Sequence, residues 1–269
     1  MELSEAEFKE ISRYVELNYG INLEHKRNLI AGRLENYLVR NGYSSYSEYM
    51  QKIKSDPTGK AANSLVNQLT TNHTYFLREN LHFDYMRDIV LPQIYEKERD
   101  KKSIYIWCGA ASTGEEPYTI VMTLHDFFKK KFENWDTRIL ATDISTQALS
   151  YAQNGVYMNE QLDSIPPVWK KNYFEKFSDD RMRVKQSVRD DVIYRVQNLM
   201  EPFSFKNKFH IVFLRNVMIY FKDDTKYKLI NNIYNCMRPG GYLFIGMSEV
   251  LDKRNTNFRY IQSSIYQKI

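Results

Sequence analysis

Between Ile104 and Ile120 the chain reads IYIWCGAASTGEEPYTI. This is an apolar run, a turn of small residues and a helix start that carries Glu115 and Glu116. A strand, a tight turn and a helix N-terminus in that order build a ligand crevice at the carboxyl end of a parallel sheet. Gly109, Ala110, Ala111, Ser112 and Gly114 let a ligand approach the backbone. A phosphate loop, G-x-x-x-x-G-K-S/T, would place its lysine where this chain has Glu115. Two carboxylates at a helix start are stabilised by its positive end, and they repel a pyrophosphate. They attract a ligand with cationic groups, such as an α-ammonium or a sulfonium, and S-adenosylmethionine has both. The alternative is that both glutamates only cap the helix.

Other polar residues fall where such a ligand would need them. Asp143 ends the apolar run ILATD, 29 residues after Gly114 (143 − 114) and one βαβ unit downstream. There an acid accepts from both ribose hydroxyls, which indicates a nucleoside without saying which. Capping of the next helix is the competing role, and Ser145 fits it equally well. In QNLM, Gln197–Met200, a side-chain amide at a strand exit meets an adenine edge or forms a turn. Arg215 and Asn216 interrupt the apolar run FLRNVMIYF at the expected centre of the crevice, and polar residues in so apolar a run need a reason. The stretch TTNHTYFLRE, 70–79, offers Asn72, Thr74 and Arg78 as a cover over the crevice. His73 reads as a surface or packing residue rather than a base, and no Ser-His-Asp order, Cys-His order or metal-ligand cluster stands out.

The elements that position these residues change character along the chain. Residues 1–80 read as helices. LSEAEFKEISRYVELNY sets Leu3, Phe8, Ile11, Val15 and Tyr19 near helical spacing, Ser4 and Glu7 make a capping box, and Gly20 is the stop. A second helix is expected near 24–41, with Lys26, Arg27, Arg33 and Arg40 set against Glu24 and Glu35. SSYSEYMQKIKSD and GKAANSLVNQLTT supply two more. Then helices (LHFDYMRDIVLPQIYEKE, EPYTIVMTLHDFFKKKF, TQALSYAQN) alternate with strands (SIYIWCG, TRILATDIS). That rhythm predicts an α/β fold with an open parallel sheet. VIYRVQNL and HIVFLRNVMIYF continue it, and the helix TKYKLINNIYNCM follows. RPGGYLFIGMSE reads as a turn into a strand that closes antiparallel against FRYIQSSIYQKI. We divide the chain into a helical domain with linker, 1–80, and a ligand-binding domain, 81–269. A charged insert, about 165–191, breaks the rhythm as a small hairpin with a helix.

Bulk properties narrow the class. With 43% apolar and 26% charged residues the chain is ordinary for a globular protein and argues against disorder. A net charge of +5 is too small to imply nucleic acid and favours an acidic partner. Cys108 and Cys236 form neither a disulfide framework nor a metal spacing, which suits a cytoplasmic protein. The charged, helical N-terminus is no signal peptide, and no apolar run approaches the roughly 18 residues of a membrane span. A monomer without membrane insertion is expected.

Together the motifs TTNHTYFLRE (70–79), AASTGEEPYTI (110–120), ATDIS (141–145), NLM (198–200), FLRNVMIYF (213–221) and RPGGYLFIGMSE (238–249) resemble those of the chemotaxis receptor glutamate methyltransferases, the CheR-type enzymes that use S-adenosylmethionine. The resemblance runs over essentially the whole chain, in order. It implies an N-terminal helical domain, a Rossmann-like class I methyltransferase sheet and a small inserted β-subdomain. It also implies methyl transfer to receptor glutamates for sensory adaptation. By motif position, Asn72, Thr74 and Arg78 would line the cofactor pocket from the linker. Glu116, with Glu115, would meet the methionine moiety and Asp143 the ribose. Asn198 and Leu199 would flank the adenine, and Arg215 and Asn216 would close the pocket. Arg78 and Tyr220 would stand nearest the transferred methyl as catalytic residues. The basic helix Lys26–Arg40 would contact the acidic methylation helices of chemoreceptors, unless it is merely a solvated face. The insert between Phe174 and Val184 is short, which points to an enzyme that needs no receptor pentapeptide. Leu214 and the Cys108–Ala111 turn depart from the family pattern. A methyltransferase of another substrate, or a non-catalytic protein that binds S-adenosylmethionine or S-adenosylhomocysteine, are the alternatives.

Overall fold

The capping box expected at Ser4 forms. In the computed structural model, which describes residues 1–129 and 135–269, the Ser4 hydroxyl accepts from the Glu7 N–H and the Glu7 carboxylate accepts from the Ser4 N–H. This opens α1 (Glu5–Tyr19), which Gly20 ends at a φ of 72°. α2 (Arg27–Arg40), α3 (Tyr46–Ser55) and α4 (Lys60–Leu69) follow. α2 starts later than its sequence suggests. The Asn22 side chain accepts from the Glu24 N–H and the Leu23 carbonyl from the Lys26 N–H, so turns occupy those residues. The four helices enclose a core of their own, including Ile11, Val15, Ile30, Leu34, Leu38, Tyr49 and Leu65.

A single rod follows, made of α5 (Leu81–Tyr85), a wider π turn (Met86–Val90) and α6 (Leu91–Lys97). Pro92 lacks the N–H that would donate one turn back and crowds that carbonyl, and the wider turn absorbs the misfit. The α/β region then runs β1 (Ile106–Gly109), α7 (Glu115–Phe128), β2 (Ile139–Asp143), α8 (Thr146–Asn154), β3 (Val156–Met158), α9 (Pro167–Tyr173), β4 (Phe174–Lys176), β5 (Arg181–Val184), α10 (Gln186–Arg189), β6 (Val192–Val196), β7 (Phe209–Leu214), α11 (Asp223–Cys236), β8 (Met237–Ile245), β9 (Phe258–Gln262) and β10 (Ile265–Lys268). The last residues expected in α7, 130–132, lie outside the described residues.

The large sheet has the order β6-β2-β1-β7-β8-β10-β9. The strands from β6 to β8 are parallel, and β10 and β9 close the edge antiparallel. The chain builds outward from β1 through β2 to β6 and then returns to place β7 on the other side of β1. That reversal is the switch point at which open α/β sheets bind ligands beyond the carboxyl ends of their strands. β1, β2 and β7 are almost wholly buried, as expected of strands covered on both faces.

Three details differ from the sequence reading. Arg238–Gly241 belongs to β8 itself, beside a register irregularity against β7, rather than forming a turn before it. FRYIQSSIYQKI is a hairpin in its own right, with Ser264 in the left-handed region at φ 61°, and its second strand pairs with β8. The insert begins before residue 165, because β3 pairs with β5 in the small sheet β3-β5-β4. Three residues following the left-handed Gly155 are too few to show a period-2 pattern.

Gly114 stands at φ 100°, and a Cβ there would lie 2.8 Å from both Ala152 Cβ and the Tyr157 hydroxyl. Gly114→Ala is therefore expected to lower stability by about 2 kcal/mol or more, read as a shift in urea midpoint at unchanged m-value.

Candidate active site

The turn after β1 is built from residues in the left-handed region: Ala110 at φ 60°, Ser112 at 51° and Gly114 at 100°. This fold-back aims the Ser112 N–H at Asp143, donating to Oδ2 at 2.8 Å, while the Ser145 N–H donates to Oδ1 at 2.8 Å. Asp143 is 8% exposed; burial raises its carboxyl and these backbone donors oppose the rise. The helix-capping role falls to Ser145, whose hydroxyl accepts from the Ala148 N–H at 3.1 Å. Asp143 is thus held at the strand end with its edge on the crevice.

Below the opposite wall lies a charged cluster. Arg215, its side chain 1% exposed, donates to Glu116 Oε2 at 2.5 Å and to Glu79 Oε2 at 3.1 Å. It also donates to the Arg78 carbonyl and lies over the Phe83 ring. The Cys108 thiol donates to Glu116 Oε1 at 3.2 Å. Burial and the neighbouring Glu116 carboxylate push that thiol far above its ordinary range, so it stays protonated. Glu79 takes two further donors, Asn216 Nδ2 at 3.2 Å and the Met247 N–H at 3.1 Å. Burial alone would raise the Glu79 carboxyl, but Arg215, Asn216 and the Met247 N–H together hold it below the usual range. His82, fully buried, sits 3.7 Å from Glu79, and neither ring nitrogen has a hydrogen-bond partner. Burial and Arg215 push His82 down to about 4, so it is neutral near pH 7.

Above the cluster lies a crevice of about 530 Å³ between the sheet and the helical domain, within the ordinary range for small-molecule sites. Asn72, Thr74, Arg78, Glu116, Asp143, Asn198, Leu199, Arg215, Asn216 and Tyr220 all line it, converging from the linker and from the ends of β1, β2, β6 and β7. Glu115 does not. One residue is 100° of helix rotation, which turns Glu115 inward, where Thr113 donates to it at 2.7 Å and burial raises its carboxyl. Arg215 does not present a free guanidinium to the crevice; its charge is engaged beneath the wall. Both ends of the Asn198 amide are also engaged: it donates to the Asn18 carbonyl at 2.7 Å and accepts from the Met200 N–H at 3.0 Å.

The helical domain closes the crevice. Tyr19, Leu23, Lys26 and Leu29 line its far side. The Asn22 N–H donates to the Tyr220 carbonyl at 2.8 Å, and Lys222 pairs with Glu16 at 2.7 Å. At the other end Ser145 donates to the Asn67 side chain at 2.8 Å. The basic residues of α2 are less available than their sequence suggests. Arg27 pairs with Glu5 at 2.6 Å, and Arg33 donates to the Leu69 and Thr70 carbonyls at 2.8 and 2.9 Å. Among the described residues Lys26 and Arg40 have no acidic partner.

Sequence reasoning passed over Glu79, Cys108 and His82. The signal available for Glu79 was a carboxylate next to Arg78 in a polar run; for Cys108 and His82 there was none. Five residues around the crevice other than glycine, namely Leu77, Glu79, Ala110, Ser112 and Asn216, hold positive φ. Such backbone strain gathers at functional sites. As to the ligand, two carboxylates and a close-approach turn fit a cationic nucleoside, and no phosphate loop is present among the described residues.

Two family models match nearly the whole chain. One is the CheR methyltransferase all-alpha domain, at residues 6–70, and the other is the CheR methyltransferase SAM binding domain, at residues 72–267. A chemotaxis protein methyltransferase of Borreliella burgdorferi is 37% identical over 266 residues, 96% of this chain and 94% of that protein. One of Vibrio parahaemolyticus is 34% identical over 263 residues, 97% of this chain and 94% of that protein. A probable chemotaxis protein methyltransferase of Rhizobium etli is 34% identical over 229 residues, 84% of this chain and 85% of that protein.

Arg215→Ala leaves the part-buried Glu79 and Glu116 without their shared cation. It is expected to lower stability by about 3–5 kcal/mol in urea unfolding and to weaken S-adenosylhomocysteine binding at least tenfold by calorimetry. For His82 the folded value lies below the ordinary 6.5. The unfolded chain therefore binds more protons between pH 6.5 and 4. This part of the stability is whole above pH 6.5 and falls as pH drops, by about 2–3 kcal/mol at pH 4.5. His82→Phe should flatten that segment of a stability–pH curve.

Proposed function

This chain belongs to the CheR methyltransferase family, and we propose that it moves the methyl group of S-adenosylmethionine onto glutamate side chains of chemoreceptors, leaving glutamyl methyl esters. One observation carries the acceptor reading: the partition of charge in the crevice. The acidic groups Glu116 and Asp143 lie on the sheet side, and Arg78, which no carboxylate pairs among the described residues, lies on the linker side. A cationic cofactor belongs with the former and an anionic acceptor with the latter.

The chain's own residues have a defined task in this reaction. Bound S-adenosylmethionine supplies a methyl carbon activated by its sulfonium. A glutamate with an ordinary pKa near 4.3 is already ionised at about pH 7, so no general base is required. What is required is alignment, in line with the breaking bond and shielded from water. Arg78 orients the incoming carboxylate by a charge-assisted hydrogen bond, and Tyr220 borders the reacting centre. Glu116, fixed by Arg215 and Cys108, receives the methionine ammonium, and Asp143 receives the ribose hydroxyls. Leu199 and the Asn198 backbone flank the adenine, the amide of Asn198 being engaged elsewhere. Asn72, Thr74 and Asn216 complete the wall. The turn between β4 and β5 spans only residues 177–180, which suits an enzyme that engages its receptors without a pentapeptide tether. Lys26 and Arg40 are the groups on the α2 side left to meet acidic receptor helices.

The test uses methyl-labelled S-adenosylmethionine with membranes carrying chemoreceptors. Label on the receptor band that mild base releases as methanol, and that Arg78→Ala and Asp143→Ala reduce at least a hundredfold, is the expected result. Tight cofactor binding with no labelled receptor would overturn the acceptor assignment.

A further inference from the structure

The loops that leave β7 and β8 meet over one buried carboxylate. Glu249 is 6% exposed. It accepts from the Gly246 N–H at 2.7 Å, the Asn216 N–H at 2.9 Å and the Ile219 N–H at 3.2 Å. Burial raises this carboxyl, and the converging backbone donors oppose the rise. Three donors drawn from both loops lock them into one unit. Beside the exposed Ser248, the unit presents three apolar side chains to solvent: Ile219 is 52% exposed, Met247 40% and Val250 81%.

This surface is continuous with the crevice. Ile219 lines both the crevice and a neighbouring hollow of about 160 Å³, which it shares with Val250 over a floor of Met218, Ile230 and Leu251, with Asp223, Lys226 and Asp252 among its polar lining. The Met247 N–H donates to Glu79, the residue after Arg78. Scattered exposed apolar residues are ordinary, but Ile219 and Val250 share one hollow beside the crevice, and the loops that carry them and Met247 are fixed by the same carboxylate, which marks a contact surface.

We propose that this platform docks the acceptor. A helical segment of the acceptor protein lays its apolar side chains on Ile219, Met247 and Val250 while its glutamate reaches into the crevice toward Arg78. Residues one turn apart on a helix are neighbours on one face, and an apolar neighbour of the glutamate seats in the hollow. The occupant is thus amphipathic: acidic toward Arg78 and Lys26, apolar toward the platform. The proposal rests on a protein glutamate being the acceptor.

The experiment is steady-state methylation of a soluble chemoreceptor fragment by the wild-type chain, Val250→Asp and Val250→Ser, with S-adenosylhomocysteine affinity and Tm measured alongside. The Val250 side chain does not line the crevice. The expected result is a KM for the fragment raised at least tenfold in Val250→Asp and several-fold in Val250→Ser. The kcat, S-adenosylhomocysteine affinity and Tm should be close to wild type. A KM within twofold of wild type for Val250→Asp overturns the docking platform and leaves glutamate methylation standing. A loss in kcat at unchanged KM overturns it too. No methyl ester on any receptor fragment with the wild-type chain overturns the acceptor assignment, and the platform with it.

Discussion

Arg215 is the interaction on which the site is assembled. One guanidinium, removed from water at the end of a fully buried strand, holds Glu116 on one side and Glu79 on the other. Glu116 lies in the first turn of the helix after β1, Glu79 ends the linker from the helical domain, and Arg215 leaves β7. A single cation therefore ties together three segments distant in sequence. Such a cluster adds little net stability, because the desolvation of three charges offsets their attraction. What it supplies is position, since removing the arginine leaves two part-buried carboxylates without a cation.

The same cluster explains why the linker is ordered. Arg78 would otherwise be a long, mobile side chain on a polar connection. Its carbonyl accepts from Arg215, and the next residue is anchored by Asn216 and the Met247 N–H. Left-handed backbone at Leu77 and Glu79 is held against its own preference by these bonds. The helical domain is drawn over the crevice by short polar contacts at both ends, Asn22 to Tyr220 and Asn67 to Ser145. Polar interfaces within a chain are ones that can open, which suits a crevice that must exchange a cofactor.

The crevice itself was largely legible in the sequence because its parts are local. A strand, a small-residue turn and a helix start are consecutive, and an acid at a strand end is visible from its apolar run. Asp143, Glu116 and Arg78 could be named for that reason. Glu115 was placed wrongly because adjacent residues at a helix N-terminus carry the same composition signal and differ only in rotation. The basic helix was over-read for a related cause: charge is visible in a sequence, but its internal consumption by Glu5 or by the carbonyls of α4 is not. The start of the insert was misjudged because β3 has three residues and its partner lies more than twenty residues away.

By itself the sequence determined the alternation of helices and strands, the helical layer ahead of the sheet, and the chemistry of the turn after β1. Each is governed by periodicity, capping and backbone preference within a few residues. Only the tertiary structure decided which of two glutamates faces the crevice, that Arg215 lines the crevice as a buried clamp with its charge engaged, and that Glu249 joins two loops. Those outcomes depend on pairings between residues up to about 137 positions apart, such as Arg215 with Glu79 and Asn216 with Glu79. No local preference encodes them. They are fixed by the order in which the strands return to β1 and by the need of buried charges to find partners.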